Sequence, residues 1–231
     1  AGVGHALNHG WQRENIIEFA ERVYDDALSA KLISSLIVDE CNKLYEGEPG
    51  DDTTVAAVRI RERAPVNLLF GPPADPKDCT KMMTLFFSKE GKKIVCGGTT
   101  SKIAADYLHE PITTSLDYGS DPDIPPVGHV KGIDLVTEGV ITMSRVVQYA
   151  KEFLNNSDLQ NMWSLQTDGA SLIAQMLFEY ATDINFFVGK AINPAHQNPD
   201  LPITFGIKIQ IVHELTDCLE KMGKQVKVSY F

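Results

Sequence analysis

Apolar positions along the chain follow helical spacing at first and then a strand–helix alternation, and the change falls near residue 63. Gly2, Gly4 and Gly10 predict a loop-like start. Ile16, Phe19, Ala20 and Val23 share one helical face across 12–25, with Glu14, Glu18, Glu21 and Arg22 mostly turned away. Ser29 is placed to cap a second helix running to about Tyr45, with an apolar stripe of Ile33, Leu36, Ile37, Cys41 and Leu44. Gly47-Glu48-Pro49-Gly50 ends it, and the alternation in Val55–Ile60 predicts a strand with Val58 and Ile60 on one face. Two helices and a strand are too little for an independent fold. The pattern predicts the end of a domain whose beginning lies elsewhere.

After Arg61–Pro65 the rhythm changes. Buried-type strands are predicted at 66–70, 93–96, 133–137, 184–188 and 225–230. Helices are predicted at 76–89, 101–108, 142–153, 168–180 and 207–222, with Asp168 as an N-cap and Gly223 as a left-handed stop. Residues 109–131, rich in Pro and Gly, read as an ordered loop with a short strand near Leu116, and 155–166 and 192–202 as polar and irregular. Five apolar strands separated by helices imply an α/β fold, a mostly parallel, helix-covered (Rossmann-like) sheet over 66–231. The domains are therefore 1–62 and 63–231. No internal repeat is present.

The 231 residues carry a formal net charge of −10, which argues against nucleic acid and anionic membranes as partners. Acidity is densest in 1–62, where 12 acidic residues face 6 basic ones. No apolar run is long enough to span a bilayer and nothing at the start resembles a signal peptide. Cys41, Cys79, Cys96 and Cys218 are scattered and read as reduced thiols, so a cytoplasmic location is expected. The opening Ala1-Gly2-Val3-Gly4 lacks an initiator Met, which points to a processed or truncated product.

Two stretches carry candidate chemistry. Asp51 and Asp52 sit between a helix, a Gly/Pro turn and a strand, where rigid carboxylates suit Mg²⁺ or Mn²⁺. The plainer alternative is an Asx-turn closed on the Thr53 or Thr54 backbone. Gly97-Gly98-Thr99-Thr100-Ser101 follows a buried strand and opens a helix, so its amides and hydroxyls suit a phosphate or other small anion, or else merely cap the helix. It lacks the lysine of a P-loop. In a parallel sheet the loops at Gly71–Asp75, Thr137–Gly139 and 193–198 share that edge, where ligands bind. Glu138 and His196 there are candidates for acid or base work, or solvated loop residues. His5, His9, His109, His129 and His213 lack metal-ligand spacing, and there is no G-x-S-x-G elbow.

The order helix, Pro49-Gly50-Asp51-Asp52-Thr53-Thr54, then Val55-Ala56-Ala57-Val58-Arg59-Ile60 resembles the end of the catalytic domain of protein phosphatase 2C-like enzymes. It is most similar to their bacterial stage II sporulation protein E branch. Ala1–Gly4 through Leu7–Gln12 also resembles the segment just past a later Asp-Gly motif in that branch. The resemblance covers about 62 residues, which it marks as the end of a phosphatase 2C-like α+β domain. It implies that Asp51 is a metal ligand, that Thr54 holds the hydroxyl position and that Asp52 is a neighbour. The family's other aspartates, mostly in Asp-Gly motifs after apolar strands, are missing. The one Asp-Gly here, Asp168-Gly169, opens a helix and reads as a cap.

The leading expectation is therefore a portion of a metal-dependent serine/threonine protein phosphatase. Its Mn²⁺ or Mg²⁺ pair would activate a water against a phosphoprotein substrate, and this chain alone would be inactive. The alternative is a non-catalytic α/β module that senses a small anion and signals to a regulatory protein or phosphatase domain. A weaker third reading makes the α/β part an enzyme using Glu138. An oligomer is compatible with any of these.

Overall fold

The computed structural model describes residues 1–3, 6–7, 9–26, 28–48, 50–114, 125–155, 162–191, 197–198, 201–202 and 205–231. The chain divides into two compact units, the first comprising Ala1–Glu62 and the second beginning at Arg63.

In the first unit, α1 (Arg13–Val23) and α2 (Ala30–Leu44) form where the apolar stripes predict them. Asn15 Oδ1 accepts the Gln12 N–H at the start of α1, and Ser29 caps α2 by accepting the Leu32 N–H at 3.2 Å. Trp11 packs edge-on against Phe19, with ring centroids 5.3 Å apart. Core is scarce: Phe19, Cys41 and Tyr45 are the buried large side chains among the described residues of this unit. The strand expected at Val55–Ile60 does not form. Val58 and Ile60 are 89% and 96% exposed, and no described strand pairs with the segment. Alternation specifies a strand only when another edge satisfies its N–H and C=O groups, and the two helices of this unit offer none. Arg59 holds the segment by donating to the Leu28 and Asp26 carbonyls.

The second unit is an α/β sandwich around a mixed seven-stranded sheet. In chain order it has β1 (Pro65–Phe70), α3 (Cys79–Phe87), β2 (Lys92–Cys96), α4 (Gly98–Leu108), β3 (Thr113–Thr114), β4 (Gly128–His129) and β5 (Leu135–Thr137). Then come α5 (Val140–Asn155), α6 (Gly169–Ala174), β6 (Asp183–Val188), β7 (Gln197–Asn198), β8 (Leu201–Pro202), α7 (Phe205–Lys221) and β9 (Gln225–Tyr230). The sheet order is β3-β4-β5-β2-β1-β6-β9, with β5, β2, β1, β6 and β9 parallel and β3 and β4 antiparallel at one edge. A separate ribbon pairs β7 with β8. The antiparallel extension adds to the parallel sheet that the strand–helix rhythm predicts. The strand predicted at Leu116 lies outside the described residues.

Side chains of the central strands alternate between two cores. Leu68, Phe70, Ile94, Phe186 and Val188 pack with Met143 and Val146 of α5, Ile173 of α6 and Leu215 of α7. Leu69, Val95 and Phe187 pack on the opposite face with Met82, Met83 and Phe86 of α3 and Ala104 of α4. Burial on both faces is why these strands read as continuous apolar runs rather than as alternation. α6 passes into a π-helical turn, Gln175–Tyr180, whose Ala181 N–H reaches the Met176 carbonyl. Cys41, Cys79, Cys96 and Cys218 are free thiols. Among the described residues no helix is long and apolar enough to cross a membrane.

Candidate functional site

Parallel strands bring their C-terminal ends to one edge, and the chain winds outward in both directions from β1. The crevice between β1 and β6 is where such a sheet normally receives a ligand. Here backbone fills it. Gly189 N–H bonds the Phe70 carbonyl at 3.0 Å, and Ala191 N–H bonds the Pro72 carbonyl at 3.1 Å. A Cβ on Gly189 would run into the Pro72 and Gly71 carbonyls, so only glycine permits the two loops to lie this close. Lys208, from the first turns of α7, crosses the same gap and donates to the carbonyls of Gly189 (3.1 Å) and Ala191 (2.8 Å). Burial pushes its amine pKa down. No motif in the chain marks this lysine, because its place depends on which strands become neighbours.

Further along the same edge, two turns meet at the ends of β2 and β5. Gly97 N–H donates to the Thr137 carbonyl at 2.9 Å, which locks the Gly97–Ser101 turn beside Thr137–Gly139, as the strand order predicts. Gly97 has φ 110°, a conformation that disfavours any residue with a Cβ. A Cβ on Gly139 would stand 3.4 Å from the Gly97 Cα, so the turns meet glycine to glycine.

The predicted anion residues take different positions in this turn. Ser101 is buried and turned inward: its N–H and its Oγ both donate to the Gly97 carbonyl, at 2.8 and 2.9 Å. The amides of Gly98, Thr99 and Thr100 form the first turn of α4, where helix geometry leaves N–H groups without an internal acceptor. Gly98 and Thr99 are exposed. Thr100 is only 1% exposed, and its Oγ1 lies 3.2 Å from the point that a Cβ on Gly97 would occupy.

Glu138 closes the other side. Its Oε2 accepts the Gly139 N–H at 2.8 Å, and its Oε1 lies 3.5 Å from the place of a Cβ on Gly98. A carboxylate thus already faces the N-terminus of α4, where the helix dipole favours it. A second anion about 4 Å away would meet a repulsion of about 4 kcal/mol at the effective dielectric of a protein surface. That is comparable with what two charge-assisted amide bonds return, at roughly 1.5–3 kcal/mol each. A bare anion and Glu138 therefore compete for this turn.

Beneath the turns, Thr137 Oγ1 donates to the Glu138 carbonyl at 3.0 Å and lies 3.5 Å from Cys96 Sγ. Asp168 is buried and caps α6: Oδ1 accepts the Ala170 and Ser171 N–H groups, and Oδ2 accepts the Ser171 hydroxyl at 2.6 Å. That carboxylate is fully committed to structure, as expected of a cap. Thr142, in the first turn of α5, is wholly buried and its Oγ1 has no partner.

Asp51 and Asp52 are both exposed, and Asp51 Oδ1 accepts the Asp52 N–H at 2.8 Å rather than that of Thr53 or Thr54. No group of three or more His, Cys, Asp or Glu with metal-binding geometry occurs among the described residues. Two adjacent exposed carboxylates do not fit a two-metal centre, which needs oxygen ligands converging from several directions. No hydrolytic step can be built on them alone. Of the histidines, His5 and His196 lie outside the described residues, as does Pro49.

Compared with protein-family models, with curated proteins and with solved structures, the chain matches none. Its own geometry is the ground on which its function rests.

Proposed function

We propose that residues 63–231 form a ligand-binding regulatory α/β module of Rossmann-like design, joined to the end of a metal-dependent serine/threonine protein phosphatase domain in residues 1–62. The observation that carries the reading is the turn pair at the β2–β5 edge, where Gly98, Thr99 and Glu138 are exposed among the described residues. Amides of Gly98–Thr100 open α4 there, while the β1–β6 crevice is sealed by backbone. Such a turn suits a small phosphorylated molecule. The phosphatase half rests on Asp51, whose carboxylate is exposed and, among the described residues, bonded to the neighbouring Asp52 amide, and on the exposed Val58 and Ile60 after it. A strand pattern without a partner edge suits a segment that completes a larger sheet. Asp51 would then be one of several ligands to Mn²⁺ or Mg²⁺, the rest coming from outside these residues.

Amide-resolved NMR of the 231-residue chain tests both halves. Mn²⁺ should broaden amides around 51–54, and Asp51→Asn should remove that effect. Millimolar phosphate should move the amides of 97–101. Broadening that survives Asp51→Asn removes the metal assignment, and stationary 97–101 amides reduce the turn to a helix cap.

A further inference from the structure

The two edges of the seven-stranded sheet are finished differently. At one, β3 and β4 are antiparallel and two residues long, and very short strands are a usual way to blunt an edge. At the other stands β9, six residues in an unbroken parallel register with β6 and without proline. Its backbone bonding alternates. The Gln225 N–H donates to the Thr182 carbonyl at 3.1 Å and the Phe231 N–H to the Val188 carbonyl at 2.9 Å, so Gln225, Lys227, Ser229 and Phe231 turn their backbone groups towards β6. Those of Val226, Val228 and Tyr230 point outward, and among the described residues no strand of the sheet lies beyond them. A row of unpaired N–H and C=O groups is complementary to another extended backbone.

The sequence of β9 selects which backbone. Set antiparallel to itself about a two-fold axis at Val228, the strand places Val228 against Val228 and Val226 against Tyr230, in both directions. Each facing pair exchanges both of its backbone bonds, because these are the residues whose groups point outward. Val226, Val228 and Tyr230 also share a side-chain face, and Val226 and Val228 already pack against the core on that side. The pairing continues an apolar ladder across the join. On the other face Lys227 comes opposite Ser229, and both are exposed. Moving the axis to Lys227 would oppose two ammonium groups and carry Tyr230 past the end of the facing strand. Moving it to Ser229 would carry Val226 past that end.

We propose that β9 is a self-association edge, at which two copies of this chain pair their β9 strands antiparallel about Val228 and join their sheets into one. The proposal is independent of the ligand reading above. One strand pair buries less than the roughly 1,200 Å² of a standard stable interface, so the dimer forms reversibly as concentration rises.

Sedimentation velocity of the 231-residue chain, from micromolar to millimolar concentration, should show a monomer–dimer equilibrium. Across that range amide hydrogen exchange should slow at Val226, Val228 and Tyr230. It should not change at Lys227 or Ser229, whose N–H groups already face β6. Substitution at the exposed Ser229 sets the sign of a charge pair across the join. Ser229→Lys opposes lysines and should weaken the dimer about threefold or more, whereas Ser229→Glu should tighten it by a similar factor. Far-UV circular dichroism of each variant confirms that the sheet is intact.

A chain that stays monomeric at millimolar concentration overturns the proposal and leaves β9 to a strand of another protein or to none. A dimer that neither Ser229 variant moves associates through another surface, and the proposal falls. Slow exchange at Val226, Val228 and Tyr230 that is independent of concentration puts their cover within the chain, and the proposal falls equally.

Discussion

Asn185 donates its side-chain amide to Asn67 Oδ1 at 2.9 Å across the β1–β6 pair, at positions that face each other in the ladder. Asn67 is wholly buried in the central strand, and its own Nδ2 continues to the Glu90 carbonyl at 2.8 Å. The two side chains thus link β6, β1 and the turn entering β2. Asn67→Ala leaves the Asn185 donor and the Glu90 carbonyl without these partners. A destabilisation of about 1–3 kcal/mol is expected from stranded buried polar groups. Urea unfolding with an unchanged m-value measures it, and Asn185→Ala in the Asn67→Ala background should add little, since the pair acts as a unit.

Arg63 and Asp183 tie the entry of β1 to the start of β6. Arg63 donates through Nε and Nη2 to the two carboxylate oxygens at 3.0 and 2.9 Å, and the Thr182 hydroxyl adds a third bond at 2.7 Å. Arg63 chiefly holds the Asp183 pKa below its ordinary value, with the Thr182 bond acting in the same direction. A depressed carboxylate contributes stability above its unfolded-state pKa and loses it as pH falls through the folded-state pKa. Asp183→Asn should therefore be less stable than wild type at neutral pH. The gap should close in acid, below the usual carboxylate range. Thermal melts across that range check it: a gap independent of pH would mean that the pair contributes through shape rather than charge.

How much of the structure can be read from the chain depends on how local the cause is. The strand Gln225–Tyr230 is legible to the residue, because Gly223, with φ 81°, stops α7 and the apolar alternation restarts at once. Ser29 and Asp168 are legible as caps for the same reason. α4 begins at Gly98 rather than Ser101, since the N–H-rich first turn accepts glycine and threonine that propensity alone argues against. β3 and β4 are two residues each, too short for any periodicity. Val55–Ile60 has the right pattern for a strand and lacks an edge to join. That Gly97 and Glu138 are neighbours is implied by parallel strand order. The burial of Thr100 and the bridging Lys208 are not, because each depends on how distant segments meet.

Cys96 ends β2 directly before the Gly97 turn, fully buried, 3.7 Å from the Met143 sulfur. Burial pushes its thiol pKa up to about 12, against a smaller opposing pull from the Thr137 hydroxyl. At about pH 8 that leaves roughly one thiolate in 10⁴, and the thiolate is the species that alkylates. Cys79, by contrast, is only half-buried where α3 begins. Native iodoacetamide labelling read by mass spectrometry should thus modify Cys79 while Cys96 stays protected until the chain unfolds. Protection should persist under oxidant, since the same burial withholds the thiolate that peroxide attacks. Native labelling of Cys96 at the Cys79 rate would show that the floor under Gly97 opens in solution. The Gly97–Thr137 hydrogen bond would then not hold the turn rigid.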